Sequence, residues 1–394
     1  MKILQINNHY SRVGGAEVVF MNTIDLLRKK NHRVISFSRN EEVNKPTFQD
    51  KYFINYSKSF LKRLYSPDAV SLIKQIIIKE KPDIAHVHNI VGGITFSILP
   101  ILRQYKIPIV ASIHDFRLLC PVCHFIDGKN QVCQKCQGSK YYNCTINNCS
   151  HDGIIKSFSL TIESYLRDIL FPFSDLIDHY IFVSNFAKEK FLESNPQILS
   201  KCSQIYNFTD KFNQEKSKGS YFLSFGRLAY EKGLLTLLKA FKENPGLQLK
   251  IAGSGPLRNL IENNITANIE LLGYETGSKL EELIQNASFV IVPSECYETN
   301  SLTTVESYSM GKPVIGSKIG ALSELIKEGK TGFTFQPKDY KALSRLVSEC
   351  SRIKEVEYSK LSENAYSFAL NSFSPEIHYR QLENVYNEVL KKLN

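Results

Sequence analysis

The chain has 394 residues, 43 % of them hydrophobic and 22 % charged, which is enough for two ordinary soluble domains and excludes a disordered or fibrous polypeptide. Its longest apolar region, Ile90–Leu102, is broken by Gly92, Gly93 and Pro100 and falls short of the ~20 residues a membrane span needs; the opening MKILQINNHY lacks the apolar core of a signal peptide, so a cytoplasmic protein is expected. The net charge of +10 is uneven, with 21 Lys and Arg against 10 Asp and Glu in residues 1–140 and 28 against 29 thereafter, which suits an anionic partner for the N-terminal part: nucleic acid, an acidic membrane surface or a phosphorylated acceptor.

Lys2–Asn7 reads as a buried strand, Ser11–Glu17 as a glycine loop with Gly14 and Gly15, Val18–Lys30 as a helix and Arg33–Ser38 as a second strand. Lys51–Tyr65 interleaves Lys51, Lys58, Lys62 and Arg63 with Tyr52, Phe53, Tyr56, Phe60, Leu61 and Leu64. It suits either an amphipathic segment on an anionic bilayer or an ordinary helix against the core. Alternation continues with a helix over Leu72–Glu80, a strand over Ile84–His88, a helix over Ile98–Tyr105 and a strand over Ile109–Ile113; Ile181–Val183 and Cys202–Tyr206 read as later strands. Strands and helices in alternation with short connections imply a parallel sheet covered on both faces. His114-Asp115 ends one strand at the carboxyl edge, where such folds place ligands, although a lone histidine is more often structural; His86 and His88, at another strand end, are poorer candidates.

Cys120, Cys123, Cys133, Cys136, Cys144 and Cys149 follow within thirty residues. Without a secretion signal, metal is a sharper reading than disulfides. Four thiolates, Cys133, Cys136, Cys144 and Cys149 with Cys120 and Cys123 as alternates, would hold a structural zinc; reduced thiols that bind nothing are the plain alternative.

Thr209–Ser220 is polar and lysine-rich and reads as a linker, after which the pattern restarts. Tyr221–Phe225, Gln248–Ala252 and Ile269–Leu272 are expected strands; Leu234–Phe241 and Pro256–Asn263 are expected helices. Arg227 and Lys232 follow the first of these strands, a planar fork and a compact charge suited to phosphate oxygens. Gly253 lies in a strand-to-helix turn open to close backbone approach, and Tyr274 follows the Leu272-Gly273 turn. Neither Gly-x-Gly-x-x-Gly nor a complete Walker A motif occurs, which counts against NAD and ATP chemistry. The absence of Asp-x-Asp leaves charge stabilisation by Arg, Lys and a helix end as the economical account, with no catalytic metal or other cofactor.

Ala287–Pro293 reads as a buried strand that leads into PSECYETNSLTTVESYSMGKPVI, with Glu298 and Glu306 either side of hydroxylated residues at a helix start. Each glutamate alone reads as surface. The whole string, with Arg227 and Lys232, resembles the Glu-x7-Glu segment and Arg-x4-Lys pair of the retaining glycosyltransferases of family four. That resemblance implies the α/β GT-B fold, two Rossmann-like doubly wound domains facing a central cleft. It sets an acceptor-binding domain at 1–212, with the last helix at 375–394 packing back on it, and a nucleotide-sugar domain at 213–374. It implies that Glu298 faces the donor sugar, that Glu306 takes the ribose hydroxyls, and that the backbone near Ser301, Leu302 and Thr303 meets the diphosphate. It further implies that Arg227 and Lys232 neutralise the leaving group, Gly14 and Gly15 close over the donor, Gly253 and Tyr274 border the nucleotide, and His114 contacts the sugar. The commoner pattern has a Gly-Phe-Gly-like run where this chain has Thr299-Asn300-Ser301, so the sugar stays open. The expected partners are a UDP- or GDP-linked hexose-type sugar and a saccharide or lipid-linked acceptor for surface polysaccharide, with peripheral association at the inner membrane face and no nucleic acid. The alternatives are a nucleotide-sugar epimerase or hydrolase of the same fold and, from another class, a zinc-containing nucleic-acid-binding protein.

Overall fold

The computed structural model describes residues 1–12, 14–40, 50–55 and 59–392. Val13 of the glycine loop, and Tyr56 and Lys58 of the aromatic and basic segment, lie outside the described residues. The chain divides into two compact units, Met1–Tyr206 with His378–Asn394, and Asn207–Ile377.

In unit one the strands are β1 (Lys2–His9), β2 (Arg33–Asn40), β3 (Lys51–Asn55), β4 (Ile84–Val87), β5 (Ile109–Ile113), β6 (His179–Phe182) and β7 (Cys202–Gln204). They form one sheet in the order β3-β2-β1-β4-β5-β6-β7 with every pairing parallel. Strands buried on both faces need near-continuous apolar runs, and Ile3, Leu4, Ile6, Ile84, Ala85, Ile109 and Val110 supply them. The helices used below are α1 (Gly15–Lys29), α2 (Phe60–Leu64), α3 (Tyr142–Ile146) and α4 (Ile154–Leu170).

Lys51–Tyr65 is not a single amphipathic element. Lys51–Asn55 pairs with β2 as a parallel edge strand, and among the segment's described residues only Phe60–Leu64 is helical. The apolar positions of its first half alternate: Tyr52 and Ile54 are buried, and the Tyr52 hydroxyl donates to Glu80 Oε1 at 2.5 Å. Period two, not 3.6, decided that stretch.

Unit two holds β8 (Tyr221–Phe225), β9 (Leu249–Ala252), β10 (Ile269–Gly273), β11 (Ala287–Val292), β12 (Val314–Ser317) and β13 (Gly332–Phe335), in the order β10-β9-β8-β11-β12-β13. Its core gathers Leu237, Phe241, Ile251, Phe289, Ile315 and Leu343 from the sheet and its covering helices. The polar stretch before β8 is tied down: buried Lys312 donates from Nζ to Ser217 O at 3.0 Å, and burial lowers its ammonium to about 8. Two further helices matter, α5 (Leu302–Ser309) and the terminal α6 (Pro375–Lys391). From His378 onward α6 belongs to unit one, where Leu382, Val385, Tyr386 and Val389 join the core of Ile3, Phe20 and Ile24.

Candidate active site

In unit two the chain runs outward from β8 through β9 to β10, then returns to place β11 on the other side of β8. The loops after β8 and β11 therefore part at the carboxyl edge of neighbouring strands, which opens a crevice at the reversal of strand order. The sequence puts Arg227 and Lys232 in the first loop, and Glu298 with the start of α5 in the second. The backbone of Glu295 donates to Glu231 O at 2.8 Å and joins the two loops. Thr303 Oγ1 donates to Phe225 O at 3.3 Å, which holds the first turn of α5 against the end of β8.

Lys232 Nζ donates to Glu298 Oε1 at 2.7 Å, and the same oxygen accepts from Ser294 Oγ at 2.5 Å. Burial alone would lower the Lys232 ammonium; Glu298 and Cys296 outweigh it and raise its pKa. Arg227 is exposed and ion-paired with Glu231. Ser301 caps α5, accepting from Thr304 N at 3.2 Å, so the first amide groups of the helix point toward the crevice mouth beside Leu302 and Thr303. Glu306, one turn into α5, has its carboxyl pushed up to about 7 by burial; Glu281 reinforces this and Lys211 opposes it. Lys211 is itself bound to Glu281 at 2.7 Å.

Gly253 answers a backbone requirement: at φ +154 a Cβ there would stand 1.9 Å from Gly226 O, so the loop before Arg227 closes only over glycine. Tyr274 is exposed at the end of β10. Unit two thus brings together Arg227, Lys232, Glu298, Ser301, Leu302 and Thr303. Sequence reasoning missed Ser294, Glu231 and Gly320. Gly320, at φ +56, would put a Cβ 2.7 Å from Glu298 N, and the next residue, Ala321, donates to Glu298 O at 2.9 Å. A glycine just past β12 carries no signal in sequence that it will touch a residue over twenty positions earlier.

Unit one has its own reversal, between β1 and β4, and there a pocket of about 300 Å³ is lined by Asn8, Arg39, His88, His114, Asp115 and Arg117 among others. His114 stacks on His88 with ring centroids 5.1 Å apart and hydrogen-bonds its Nδ1 from Nε2 at 2.8 Å; His88 Nε2 donates to Gln5 Oε1 at 2.9 Å. Since Gln5 Oε1 can only accept, His88 Nδ1 is the acceptor and His114 Nε2 carries the proton. Burial lowers His114 to about 4 and His86 to about 3, so both are neutral near pH 7. His88, a poorer candidate on sequence, orients His114. Gly14, at φ +100, caps α1 on the exposed surface with Gly15, and Glu17 two residues on reaches the pocket.

Cys136, Cys144 and Cys149 bury themselves with Tyr141 in a small cluster covered by Val122 and Tyr165. Cys120 is buried and its thiol is pushed up to about 12 by that burial, while Cys123 accepts from Arg117 Nη2 at 3.2 Å. Cys133 is half-buried. Among the described residues no three Cys, His, Asp or Glu side chains are arranged to hold a metal ion.

Residues 13–211 match the family model described as Glycosyltransferase Family 4, and residues 207–368 match that of Glycosyl transferases group 1. The chain belongs to glycosyltransferase family 4. This glycosyltransferase is 24 % identical to an uncharacterised 42.6 kDa protein in the cps region of Klebsiella pneumoniae, over 82 % of this chain and 87 % of that one. It is 22 % identical to the capsular polysaccharide biosynthesis glycosyltransferase CapM of Staphylococcus aureus, over 94 % and 93 %. Its fold matches Anabaena HepE, solved in complex with UDP and glucose, with a TM-score of 0.68 at 17 % identity over 98 % and 99 % of the two chains. The fold of this family 4 glycosyltransferase is GT-B.

Proposed function

We propose that this enzyme is a retaining glycosyltransferase that moves a hexose-type sugar from a nucleoside-diphosphate sugar to a saccharide or lipid-linked acceptor in surface-polysaccharide assembly. One observation carries the reading: Lys232, Glu298 and Ser294 are locked together, with Arg227 and the start of α5 beside them, at the β8/β11 reversal. In this reading the Arg227 guanidinium, the Lys232 ammonium and the amides after Ser301 receive the diphosphate, which leaves with the electron pair of the anomeric C–O bond. Glu298 accepts hydrogen bonds from the sugar hydroxyls, and Lys232 and Ser294 fix its carboxylate. Glu306 accepts from the ribose, with Gly253 and Tyr274 along the nucleotide. The acceptor hydroxyl attacks from the leaving-group side, and its proton passes to the departing phosphate oxygen. Arg and Lys supply the charge stabilisation, so no catalytic metal is needed.

In unit one the pocket at His114 takes the acceptor side, where neutral His114, its Nε2–H held by His88, accepts at Nδ1. UDP is the favoured nucleotide because the similar HepE fold was solved with it, and the CapM likeness supports polysaccharide as the product class. A panel of UDP- and GDP-sugars read by thermal shift tests the proposal, with Arg227→Ala and Glu306→Ala as controls. If no nucleotide sugar stabilises wild type more than these variants, the reading fails.

A further inference from the structure

Helix α4 is built inside out. Apart from Leu160 its inward positions are polar: Ser157, Thr161, Ser164 and Arg167 are all buried. Each is satisfied there. Ser157 Oγ accepts from Ser150 N at 2.9 Å, Thr161 Oγ1 donates to Tyr141 O at 3.1 Å, Ser164 Oγ donates to Leu160 O at 2.9 Å, and Arg167 Nη1 donates to Arg117 O at 2.9 Å. The outward positions are apolar. Ile155, Phe158, Ile162, Leu166 and Ile169 recur at intervals of three and four, one stripe along the helix. Ile155 is 83 % exposed, Phe158 55 % and Ile169 73 %, and Ile162 and Leu166 are half-buried. An amphipathic helix normally turns this face to the core. Here the polar face makes the internal bonds and leaves the stripe to solvent, where each large apolar side chain is unfavourably hydrated.

The stripe continues onto α2, fixed beside α4 by the Arg63–Glu163 ion pair at 2.6 Å, where Leu61 is 74 % exposed and Phe60 and Tyr65 are exposed too. Charge distinguishes the occupants. Both acidic residues of α4 are neutralised, Glu163 by Arg63 and Asp168 by Arg167 at 2.7 Å, while Lys156 and Lys62 flank the apolar side chains, the latter in an exposed pair with Asp68. Unit one carries the whole net charge, 29 Lys and Arg against 19 Asp and Glu, whereas unit two has 20 against 20. Among the described residues no helix is long and apolar enough to cross a membrane. An aliphatic and aromatic stripe that lies flat, edged by cations on a basic unit, fits the interface of an anionic bilayer, with the apolar side chains below the headgroups.

We propose that α4, with α2 beside it, docks unit one on the surface of an anionic membrane. The Arg167–Arg117 bond ties the docked helix to the wall of the His114 pocket, so docking sets that pocket at a fixed distance from the lipid surface. The surface is independent of the donor site, and its test does not require turnover. The full chain is floated with vesicles of phosphatidylcholine containing about 30 mol % phosphatidylglycerol, and with phosphatidylcholine alone. Wild type should float with the anionic vesicles, less at high salt, and Ile155→Asp with Phe158→Asp should weaken binding about tenfold or more. Ile155→Asp alone, at a position that makes little internal contact, guards against misfolding of the double variant, and its melting midpoint should equal that of wild type. Failure to float, flotation that both variants retain, or equal flotation with neutral vesicles overturns the proposal. So does a solution dimer that Ile155→Asp dissociates, because a second copy then covers the stripe.

Discussion

Replacement of Glu306 by glutamine should move stability and nucleotide affinity in opposite directions. The carboxyl ordinarily ionises at 4.5 and is pushed up to about 7, chiefly by burial, so the folded state binds its proton more tightly than the unfolded chain. Its contribution to stability is therefore fully present below pH 4.5 and is lost as pH rises to about 7. At 1.36 kcal/mol per pH unit the ionised form costs at most about 3–4 kcal/mol; the residue keeps partial solvent contact, so about 1–2 kcal/mol is expected. Glu306→Gln removes that cost. At pH 8 its melting midpoint should rise by roughly 2–6 °C over wild type, and at pH 5 the two should coincide. Nucleotide binding runs the other way. A carboxylate accepts from the ribose hydroxyls at both oxygens and more strongly than a protonated carboxyl, so UDP affinity of wild type should climb between pH 6 and 8. The variant should bind roughly tenfold or more weakly at pH 8, with no such climb. Calorimetry at both pH values with differential scanning reads both effects. A variant that melts lower at pH 8, or that keeps wild-type affinity for UDP, refutes the reasoning about this carboxyl.

Lys232→Met removes the ammonium that partners Glu298 and should lower kcat/KM about 100- to 1000-fold, with a smaller loss of stability of about 1–2 kcal/mol by chemical denaturation. Gly320→Ala forces a Cβ against the backbone of Glu298 at a positive φ, and should cost about 1–3 kcal/mol and slow transfer; Gly246→Ala, which meets nothing within 4 Å, should do neither. His114 is held neutral down to about 4 in the folded state, whereas it protonates near 6.5 when unfolded. The stability of unit one should therefore fall as pH drops from about 6.5 toward 4, and His114→Gln should flatten that slope in a denaturant titration. Transfer measured after exhaustive EDTA treatment should match the untreated rate if Arg227, Lys232 and the amides after Ser301 stabilise the leaving diphosphate without a metal ion.

The crevice of unit two was the more legible half because its residues announce themselves by order along two loops. Arg227 and Lys232 follow β8, Glu298 follows β11, and the parallel pairing of those strands makes the loops neighbours. The supports of the same site were not legible. Ser294 and Gly320 reach Glu298 only through the folded backbone, and no periodicity marks a hydroxyl or a missing Cβ that acts at a distance. Histidine followed the same rule. His114 stood out as a strand-end residue, while His88 looked like a core position; only the sheet, which sets β4 beside β5, shows that the two rings stack and that Gln5 from β1 fixes their protons.

By itself the sequence determined two parallel α/β units, through apolar runs alternating with helical periods, and which residue types line the crevice after β8 and β11, because local pattern and charge are written in order along the chain. Tertiary structure decided what depends on which groups share a face. Lys51–Asn55 became an edge strand because β2 offered a free edge. Cys136, Cys144 and Cys149 packed as a buried thiol cluster around Tyr141. The helix Ile154–Leu170 turned its apolar side outward because Tyr141, Asn148 and Arg117 supplied partners for its polar side. Burial is a property of what stands opposite, and a single chain read in order does not contain it.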